Sequence, residues 1–208
     1  MVKSDYDKFA EEFSRTREQP WKEVSDFLET LPKNSQILDI GCGNGRHLIE
    51  AKKRGLNAVG LDISKNLLKI AKKKTGAHLV LGNALALPFR DRTFDNSICI
   101  AVVHHFGTQS SQKLAERHDF KDEKDRIQAL KEAARVSKSA ILISVWAFEQ
   151  KNFAKRKSQD IQLEWNKKFP RFYHLFKEGE LDALAKKAGL KVKKSWREGN
   201  NYWAKIRS

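Results

Sequence analysis

The feature that most constrains this 208-residue chain is a series of alternate glycines directly after a short apolar segment. Residues 37–40 have the composition of a buried strand and are followed by Gly41, Gly43 and Gly45. Glycine permits the backbone angles of a sharp turn, and its missing Cβ lets a ligand approach the main chain. One helix-length later, a second apolar segment ends on Asp62. Because ligands of open α/β sheets bind outside the carboxyl ends of the strands, this order predicts a nucleoside site there.

Two acidic residues narrow down the nucleoside. Asp62 can accept two hydrogen bonds from the diol of a ribose, and Asp39 adds a negative charge directly before the turn. That charge would repel a pyrophosphate and attract an ammonium group. S-adenosylmethionine carries both an ammonium group and a ribose, so we predict it as the cofactor. The alternative is a glycine-rich turn without a ligand.

The charge of the chain favours a polyanionic partner. It has 41 Lys and Arg against 26 Asp and Glu, which gives a net charge of +15. An excess of this size favours nucleic acids, because basic side chains neutralise phosphates and release counterions. The alternative is the lysine-rich surface of a heat-adapted protein. Such proteins enrich Glu together with Lys, whereas in this chain the acidic residues do not keep pace with the basic ones.

Size and composition also limit the class of protein. The length fits a single domain over residues 1–208. No segment is apolar enough to cross a bilayer, and the first five residues carry no signal-peptide run. We therefore expect a cytoplasmic protein that does not engage a membrane. Cys42 and Cys99 match no disulfide or metal framework, so no metal site is expected.

Short apolar segments alternate with helical patterns from residue 36 onward, which predicts an α/β fold with a parallel sheet and helices on both faces. An N-terminal helical segment is predicted within residues 1–31, and a closing strand pair at 190–196 and 202–206. Between them the predicted strands are 36–40, 58–62, 78–82, 94–101 and 140–146, and the predicted helices are 46–54, 65–75, 123–136 and 178–188. Ser64 is placed to cap the helix at 65–75.

Two further segments are distinctive. Residues 107–125 are polar and charged, and a loop of that size beside the carboxyl edge of the sheet predicts a lid or a disordered insertion. Residues 151–177 interleave basic residues with aromatics, which is typical of surfaces that bind RNA. Lys155 and Arg156 in this segment are candidate contacts for RNA phosphates.

Several segments resemble, in the same order, the eukaryotic and archaeal tRNA wobble-uridine carboxymethyl methyltransferases, including the methyltransferase domain fused to an AlkB-type oxygenase. They are Phe-Ser-Arg-Thr-Arg at 13–17 with Pro-Trp at 20–21, Asp-Ile-Gly-Cys-Gly-Asn-Gly at 39–45, Asn-Ala-Leu-Ala-Leu-Pro at 83–88, Ile-Ala-Val-Val-His-His-Phe at 100–106, Val-Trp-Ala-Phe-Glu-Gln at 145–150 and Arg-Phe-Tyr-His-Leu-Phe-Lys-Glu-Gly-Glu-Leu at 171–181. The glycine turn is common to a superfamily, whereas the Thr-Arg…Pro-Trp, His-His-Phe, Trp-Ala-Phe-Glu-Gln and Tyr-His-Leu-Phe segments are more specific.

The sequence departs from this family at three places. Asn83 replaces the usual Asp, although its side-chain oxygen should still accept a hydrogen bond from an adenine amino group. The insertion at 107–125 is longer than the family pattern. The usual Pro-Gly-Gly turn before the fifth strand is missing, and residues 136–140 cross more directly.

The resemblance implies a Rossmann-like class I methyltransferase fold with a mostly parallel seven-stranded sheet. It also implies methyl transfer from S-adenosylmethionine to the carboxylate of 5-carboxymethyluridine at the wobble position of tRNA. The cofactor-binding residues that follow are Asp39, Gly41, Gly43, Asp62, Ile63, Asn83, Ala84 and Ala101.

A carboxylate nucleophile is already ionised at neutral pH, so the implied reaction needs alignment rather than a general base. A guanidinium can hold the second carboxylate oxygen through parallel hydrogen bonds, and Arg17 is the first candidate. His104 and His105 follow the fourth strand, where the reacting methyl group should lie, and one of them would bond the base or its carboxylate. Alternatively, Arg17 is a surface charge, and the histidines are capping or core residues.

Further residues are expected to bind the substrate. Trp146, Tyr173 and His174 would stack on the flipped uridine or contact its neighbours, as aromatics do in single-stranded RNA recognition. Asn200 and Trp203 match a short Gly-Asn…Trp element of the family, with an alignment loose by one or two residues. The alternative for the aromatics is a place in the hydrophobic core.

The third predicted strand, residues 78–81, would lie at a sheet edge, and an apolar edge needs a cover. The resemblance implies a small zinc-binding activator protein that adds a strand there. A local loop or homodimerisation is the alternative. For the function as a whole, the alternatives are a methyltransferase for a small carboxylate or phenol, and a non-catalytic RNA-binding subunit that retains a cofactor fold.

Overall fold

The computed structural model describes residues 5–106, 121–165 and 169–207. Its strands are β1 Gln36–Ile40, β2 Asn57–Asp62, β3 His78–Leu81, β4 Asn96–Ile100, β5 Ala140–Trp146, β6 Asp160–Trp165, β7 Phe169–His174, β8 Lys191–Glu198 and β9 Asn201–Arg207. Seven of them form one sheet in the order β3-β2-β1-β4-β5-β9-β8. The first five in chain order run parallel, and β9 runs antiparallel between β5 and β8. This confirms the predicted fold class, and β3 lies at the edge.

Helices cover both faces of this sheet. They are α1 Ala10–Arg15, α2 Lys22–Glu29, α3 Arg46–Lys53, α4 Lys65–Thr75, α5 Lys121–Val136 and α6 Glu180–Lys187, with 3-10 turns at Asp5–Lys8, Val103–His105 and Lys151–Phe153. Val24, Phe27 and Leu28 repeat at helical spacing and pack α2 onto one face, beside α3. Helices α5 and α6 pack on the opposite face. Ser64 caps α4 as predicted, since its side chain accepts a hydrogen bond from the Leu67 backbone N–H.

The direct crossing from α5 into β5 depends on a buried serine. Ser137 is 1% exposed. Its hydroxyl donates to the carbonyl of Ala133 at 2.6 Å and lies 2.6 Å from the hydroxyl of Ser97 on β4. These bonds give the buried hydroxyl groups of Ser137 and Ser97 hydrogen-bond partners inside the protein.

Strands β6 and β7 form a separate antiparallel pair that the sequence analysis did not predict. The pair belongs to the basic-aromatic segment 151–177. Its apolar residues face a small core of their own, composed of Phe153, Ile161, Tyr173 and Leu175 with Trp146, Phe148 and Leu163 against them. Most aromatics of the segment are therefore packing residues, as the alternative interpretation held. The pair also packs on the 3-10 turn Val103–His105 that follows β4.

The N-terminal region and the insertion differ in detail from the prediction. The helical segment consists of two short helices, α1 and α2, separated by an irregular stretch that contains Pro20. Helix α5 begins at Lys121, so residues 121–125 of the predicted insertion are helical, and residues 107–120 lie outside the described part of the chain. Within the described ranges, no helix is long and apolar enough to cross a membrane.

Candidate cofactor and substrate site

The glycine turn adopts a shape that larger residues could not. Gly41, Gly43 and Gly45 have φ angles of +73°, +55° and +82°. A Cβ on Gly41 would lie 2.3 Å from a methyl group of Val102, and one on Gly45 would lie 2.7 Å from a methyl group of Thr75. The turn therefore follows β1 closely and leaves its backbone at the wall of a cavity of about 380 Å³.

Asp62 at the end of β2 holds this turn in place. One carboxylate oxygen accepts the backbone N–H of Gly43 at 2.8 Å, and the other accepts that of Ser64 at 2.8 Å. Burial raises the pKa of Asp62, and the N–H groups of Ser64, Gly43 and Ile63 oppose this shift. With three N–H groups directed at it, the carboxylate has about one of its four lone-pair sites left, so it can still accept a bond from a ribose hydroxyl.

Asp39 is not among the residues that line the cavity, but within the described residues its buried Oδ2 has no hydrogen-bond partner. The residue is 2% exposed. The nearest cationic candidate, His47 Nδ1, is 3.9 Å away, but burial lowers the pKa of His47 far enough to keep it neutral. Burial raises the pKa of Asp39 to about 7, against the opposing charge of Arg46. An unpaired buried carboxylate is costly, and the ammonium of S-adenosylmethionine would satisfy it.

Another group of lining residues suits an adenine. Ile63, Asn83 and Ala84 line the cavity together with the apolar Leu67 and Leu85. The side-chain oxygen of Asn83 accepts the backbone N–H of Leu85 at 3.0 Å, which fixes the amide orientation. This oxygen is thus already engaged, and an adenine amino group would have to use its second lone pair.

Ala101 marks a strained backbone at the centre of the site. Its φ is +59°, a left-handed value that residues with a Cβ rarely adopt. Its N–H donates to the carbonyl of Ser144 at 3.0 Å and lies 3.1 Å from the Ser144 hydroxyl, which holds the strained conformation. Backbone strain of this kind clusters at functional sites. Ala101 lines the cavity where β4 ends.

Three guanidinium groups line the same cavity, those of Arg17, Arg46 and Arg171. Burial lowers the pKa of Arg17, and repulsion from Arg171 adds to the shift. Burial also lowers the pKa of Arg46 to about 10, with a further contribution from Arg17. Arg17 thus lies near enough to each of the other two to be repelled by it, and an anion bound beside Arg17 would relieve this repulsion. The sequence analysis found only Arg17, although Arg171 opens the Arg-Phe-Tyr-His-Leu-Phe segment.

His104 and His105 lie in the cavity wall, but their ring nitrogens are engaged. The backbone N–H of Trp146 donates to Nδ1 of His104 at 3.1 Å, and the two Nε2 atoms are 3.2 Å apart. Nδ1 of His105 lies 3.1 Å from the carbonyl of Phe172. These distances are satisfied when both rings are neutral, with the proton on Nε2 of His104 and on Nδ1 of His105.

The histidine pair continues into a chain of polar groups. The hydroxyl of Tyr6 lies 2.9 Å from Nε2 of His105, where it shares the single lone pair of this nitrogen with the N–H of His104, and Arg171 donates to that hydroxyl at 3.2 Å. Burial lowers the pKa of His104 well below its usual value and that of His105 to about 3. Neither imidazole offers a charge or an open nitrogen to a carboxylate. The expected contact of a histidine with the substrate stays a prediction, and it would have to displace one of these protein partners.

Trp146 and Tyr173 form an aromatic wall of the cavity. Their rings stack with centroids 4.6 Å apart and an angle of 15° between the planes. Both line the cavity, opposite the glycine turn and next to Arg171, whose guanidinium lies 5.0 Å from the Tyr173 ring centroid. The positions of these two residues agree with a substrate-binding role.

His174 does not line this cavity, which corrects its predicted role. Its side chain alternates to the other face of β7, where Nδ1 lies 2.5 Å from Asp160 and Nε2 lies 2.6 Å from Glu180. With a carboxylate at each nitrogen, the ring links β6 to α6 and has no nitrogen left for a base.

Trp203 is likewise a core residue. It is 0% exposed, and it packs between Trp21 and Trp196 with ring centroids 5.3 Å and 6.1 Å away. Its indole is not among the side chains that line the cavity, which corrects this prediction as well. Trp21, which the sequence analysis did not assign, is the tryptophan of this cluster that reaches the cavity.

The remaining predicted substrate residues lie on the surface outside the cavity. Asn200 occupies the turn between β8 and β9, and its carbonyl accepts hydrogen bonds from Ala147 and Gln150. Lys155 and Arg156 are exposed in the loop before β6, and the Arg156 guanidinium lies 5.9 Å from the Phe153 ring centroid. Only a large substrate could reach these two cations and the cavity together.

Comparison with known proteins agrees with this site. A family model described as a methyltransferase domain matches residues 38–143. The tRNA (carboxymethyluridine(34)-5-O)-methyltransferase of Schizosaccharomyces pombe is 32% identical over an alignment of 227 positions, gaps included. The alignment covers 95% of this chain and 92% of the relative. The tRNA (carboxymethyluridine(34)-5-O)-methyltransferase alkbh8 of Xenopus tropicalis is 31% identical over 95% of this chain, which spans only 39% of that relative.

Solved structures share the fold at lower identity. A Haloferax volcanii methyltransferase, solved in complex with the Trm112 methyltransferase activator, superposes with a TM-score of 0.72 at 15% identity. The superposition covers 100% of this chain and 97% of the other. Because the family model spans the cofactor-binding strands and the fission yeast relative is matched over nearly its whole length, the chain belongs to the class I S-adenosylmethionine-dependent methyltransferases and is related to the tRNA carboxymethyluridine methyltransferases.

Proposed function

We propose that this methyltransferase esterifies the carboxylate of 5-carboxymethyluridine at the wobble position of tRNA. The observation that carries the proposal is the polarity of the cavity. Asp62 lines the cavity, and Asp39 is buried close enough to Asp62 to interact with its charge, while Arg17 and Arg171 line the same cavity. This arrangement fits a cationic methyl donor beside an anionic acceptor. The activity named for the relatives from fission yeast and frog supports the same acceptor.

The chemistry requires little beyond positioning. When bound, S-adenosylmethionine supplies an electrophilic methyl group on a sulfonium that leaves as a neutral thioether. The acceptor carboxylate is ionised at neutral pH, so a C–O bond forms and the C–S bond breaks without proton transfer. Arg17 and Arg171 would hold the carboxylate, and Trp146 with Tyr173 would flank the base. A site without an available base is sufficient for this reaction.

The same geometry weighs against the alternative functions. A phenol would need a general base, and both histidines of the cavity have their nitrogens in hydrogen bonds. A small carboxylate would fit the guanidinium pair but leaves the net charge of +15 without a role. A non-catalytic RNA-binding subunit would not need Asp39 and Asp62 in a formed cofactor site.

The direct test is methylation of tRNA that carries 5-carboxymethyluridine, followed by mass spectrometry of the nucleosides. We expect a methyl ester that mild alkali removes, and no product with tRNA that carries the corresponding carboxamide. Arg17→Ala should lower kcat/KM by about 100-fold, because losing a charge-assisted pair costs about 3 kcal/mol. Arg17→Lys should recover little of it, and Arg15→Ala, an exposed neighbour, is the matched control. Methylation of small acids with tRNA left unmodified would favour the alternative enzyme.

We also propose that a small zinc-binding activator covers the edge strand β3. Within the described residues, Leu81 of this strand is the exposed large apolar side chain, at 50% exposure. Unpaired backbone groups on an apolar edge invite an added strand. The Haloferax neighbour was solved with a methyltransferase activator, which supports a partner of this class. A covering loop or a second copy of the chain are the other candidates for this edge.

A further inference from the structure

Asn44, inside the glycine turn, directs its side-chain amide nitrogen toward Ser14 and Arg17 of the N-terminal segment. The residue is 3% exposed. Its amide nitrogen donates to the carbonyl of Arg17 at 2.8 Å and to the carbonyl and hydroxyl of Ser14 at 3.2 and 3.1 Å. Its oxygen accepts the backbone N–H of Arg46 at 3.4 Å. All donor capacity of this buried amide is therefore spent on the segment around Arg17.

Residues on either side of Asn44 hold the same N-terminal segment. A Cβ on Gly43 would lie 3.5 Å from the ring of Phe13, so Phe13 rests on the turn itself. Arg46 donates to the carbonyl of Gln19 at 3.3 Å, and its guanidinium lies 5.6 Å from the Trp21 ring centroid. The turn residues 43–46 thus dock the segment 13–21 along its length.

The backbone that Asn44 holds also determines where the guanidinium of Arg17 lies. The N–H of Arg17 donates to the carbonyl of Ser14 at 3.2 Å. Its guanidinium lies 4.6 Å from the Phe13 ring centroid and donates to the hydroxyl of Thr16 at 2.5 Å. Because these contacts lie within residues 13–17, a shift of this segment would carry the guanidinium with it.

We infer that Asn44 is a positioning residue that couples cofactor binding at the glycine turn to placement of the Arg17 guanidinium for the substrate carboxylate. The inference rests on the proposed role of Arg17. The turn that receives the cofactor and the segment that carries the cation form one hydrogen-bonded unit. A ligand that orders the turn therefore also orders the segment, and the two binding events are linked. A purely structural role for Asn44 in the turn is the competing explanation.

Asn44→Asp tests this inference, since it keeps the shape and the acceptor oxygen but replaces the donor with an oxygen that repels both carbonyls. We expect kcat on tRNA to fall by about 10- to 100-fold, the usual cost of a misplaced catalytic group. The dissociation constant for S-adenosylhomocysteine should change by less than about threefold. The control is Asn57→Asp, an exposed asparagine whose amide donates to the carbonyl of Asn34 at 3.0 Å.

A double-mutant cycle with Arg17→Ala separates positioning from general damage. If Asn44 acts through Arg17, Asn44→Asp should cost no further kcat once the guanidinium is gone. Additive losses would overturn the inference, and so would an Asn44→Asp enzyme with wild-type kcat. Asn44→Ala provides a second variant if the aspartate prevents folding.

Hydrogen exchange gives a readout that does not depend on turnover. Adding S-adenosylhomocysteine should slow exchange in a peptide covering residues 13–19 of the wild-type protein and not in Asn44→Asp. Equal protection in both proteins would overturn the coupling. If wild-type protein failed to methylate 5-carboxymethyluridine tRNA, the proposed function would fail, while the exchange experiment would still decide whether Asn44 links the two sites.

Discussion

Asp39 illustrates how a single buried residue can make cofactor binding depend on pH. Burial raises its pKa to about 7, so a large share of the free protein carries a protonated Asp39 near neutral pH. An ammonium group against the unpaired oxygen favours the ionised form and lowers this pKa in the complex. Binding must then release a proton below pH 7, and affinity is lost as the pH falls through the pKa of the free protein.

We therefore predict that S-adenosylmethionine binds about tenfold more weakly at pH 6 than at pH 8, since about nine tenths of a group with this pKa is protonated at pH 6. Calorimetry in two buffers of different ionisation enthalpy would count the released proton. Asp39→Asn should bind weakly at both pH values and lose this dependence. Asp26→Asn, at an exposed aspartate of α2, is the control. A pH-independent wild-type affinity would rule out the contact with Asp39.

Residues whose chemistry is local could be predicted from the sequence, and residues defined by distant partners could not. Asp39 and Asp62 lie at the carboxyl ends of β1 and β2 and the glycines follow β1, so order along the chain places them together. The hydrogen bond between Tyr6 and Arg171 joins residues 165 positions apart, and no spacing rule predicts it. For the same reason, the sequence could not show that His105 is neutral and fully bonded.

At the level of elements, the β6–β7 pair depends on contacts outside itself. Two strands alone are marginally stable, and here they are held by the core around Phe153 and by His174. Burial opposes a charge on His174, but its bonds to Asp160 and Glu180 outweigh burial and raise its pKa. Burial likewise raises the pKa of Glu180, and the bond to His174 reverses this and lowers it. Residues 160–165 alternate polar and apolar side chains, which predicts a strand, and this signal was missed because the segment 151–177 was interpreted only by its basic and aromatic residues.

We predict that the contribution of His174 to stability is lost in alkali. Because the pKa of His174 is raised in the folded protein, its charged form stabilises the fold fully below the unfolded-state pKa of about 6.5. This contribution disappears as the pH rises through the folded-state pKa. His174→Gln should lower Tm by about 2–4 °C at pH 6, which corresponds to about 1 kcal/mol for a chain of this size. The gap in Tm between His174→Gln and wild type should close by pH 9. The control His78→Gln, at an exposed position of β3, should keep a Tm close to that of wild type at both pH values. A gap that persists at pH 9 would show that the charge on His174 is not involved.

The two edge strands of the sheet, β8 and β3, differ in how well they are protected against pairing with another strand. Lys191, Lys193 and Lys194 are exposed on β8, and charges of this kind prevent edge-to-edge association. Strand β3 carries no Lys, Arg, Asp or Glu, and Leu81 is exposed. The position of β3 at the edge was predicted from chain order, whereas its exposed leucine becomes visible only in the structure.

Co-expression with a small zinc-binding activator should therefore raise both the yield of soluble protein and its activity, and Leu81→Glu should abolish both gains. A glutamate there would place a buried charge in the added strand's interface, which is strongly unfavourable. Lys193→Glu on β8 provides the matched control at the other edge. Protein that is monodisperse and fully active alone, with Leu81→Glu indistinguishable from wild type, would show that this edge needs no partner.

For the whole molecule, the net charge of +15 is the property that most directly concerns a tRNA substrate. A cavity of about 380 Å³ is far smaller than a tRNA, so most of the tRNA must lie against the outer surface. Exposed Lys155, Arg156 and Lys157 project from the loop before β6, next to the strand pair that supplies Arg171 and Tyr173 to the cavity. This loop is therefore the candidate contact for phosphates near the target nucleotide.

We predict that tRNA binding weakens steeply with salt and that reversing these three charges makes it less sensitive. Each lost phosphate contact should reduce the slope of log K against log salt by about 0.7 to 0.9, so the triple variant should lose about two units. Reversal of Lys69, Lys72 and Lys73 on α4 changes the net charge equally and is the control. S-adenosylmethionine affinity should stay unchanged in both variants. Equal effects of the two triples would show a general response to net charge, and a flat wild-type salt profile would favour a small substrate.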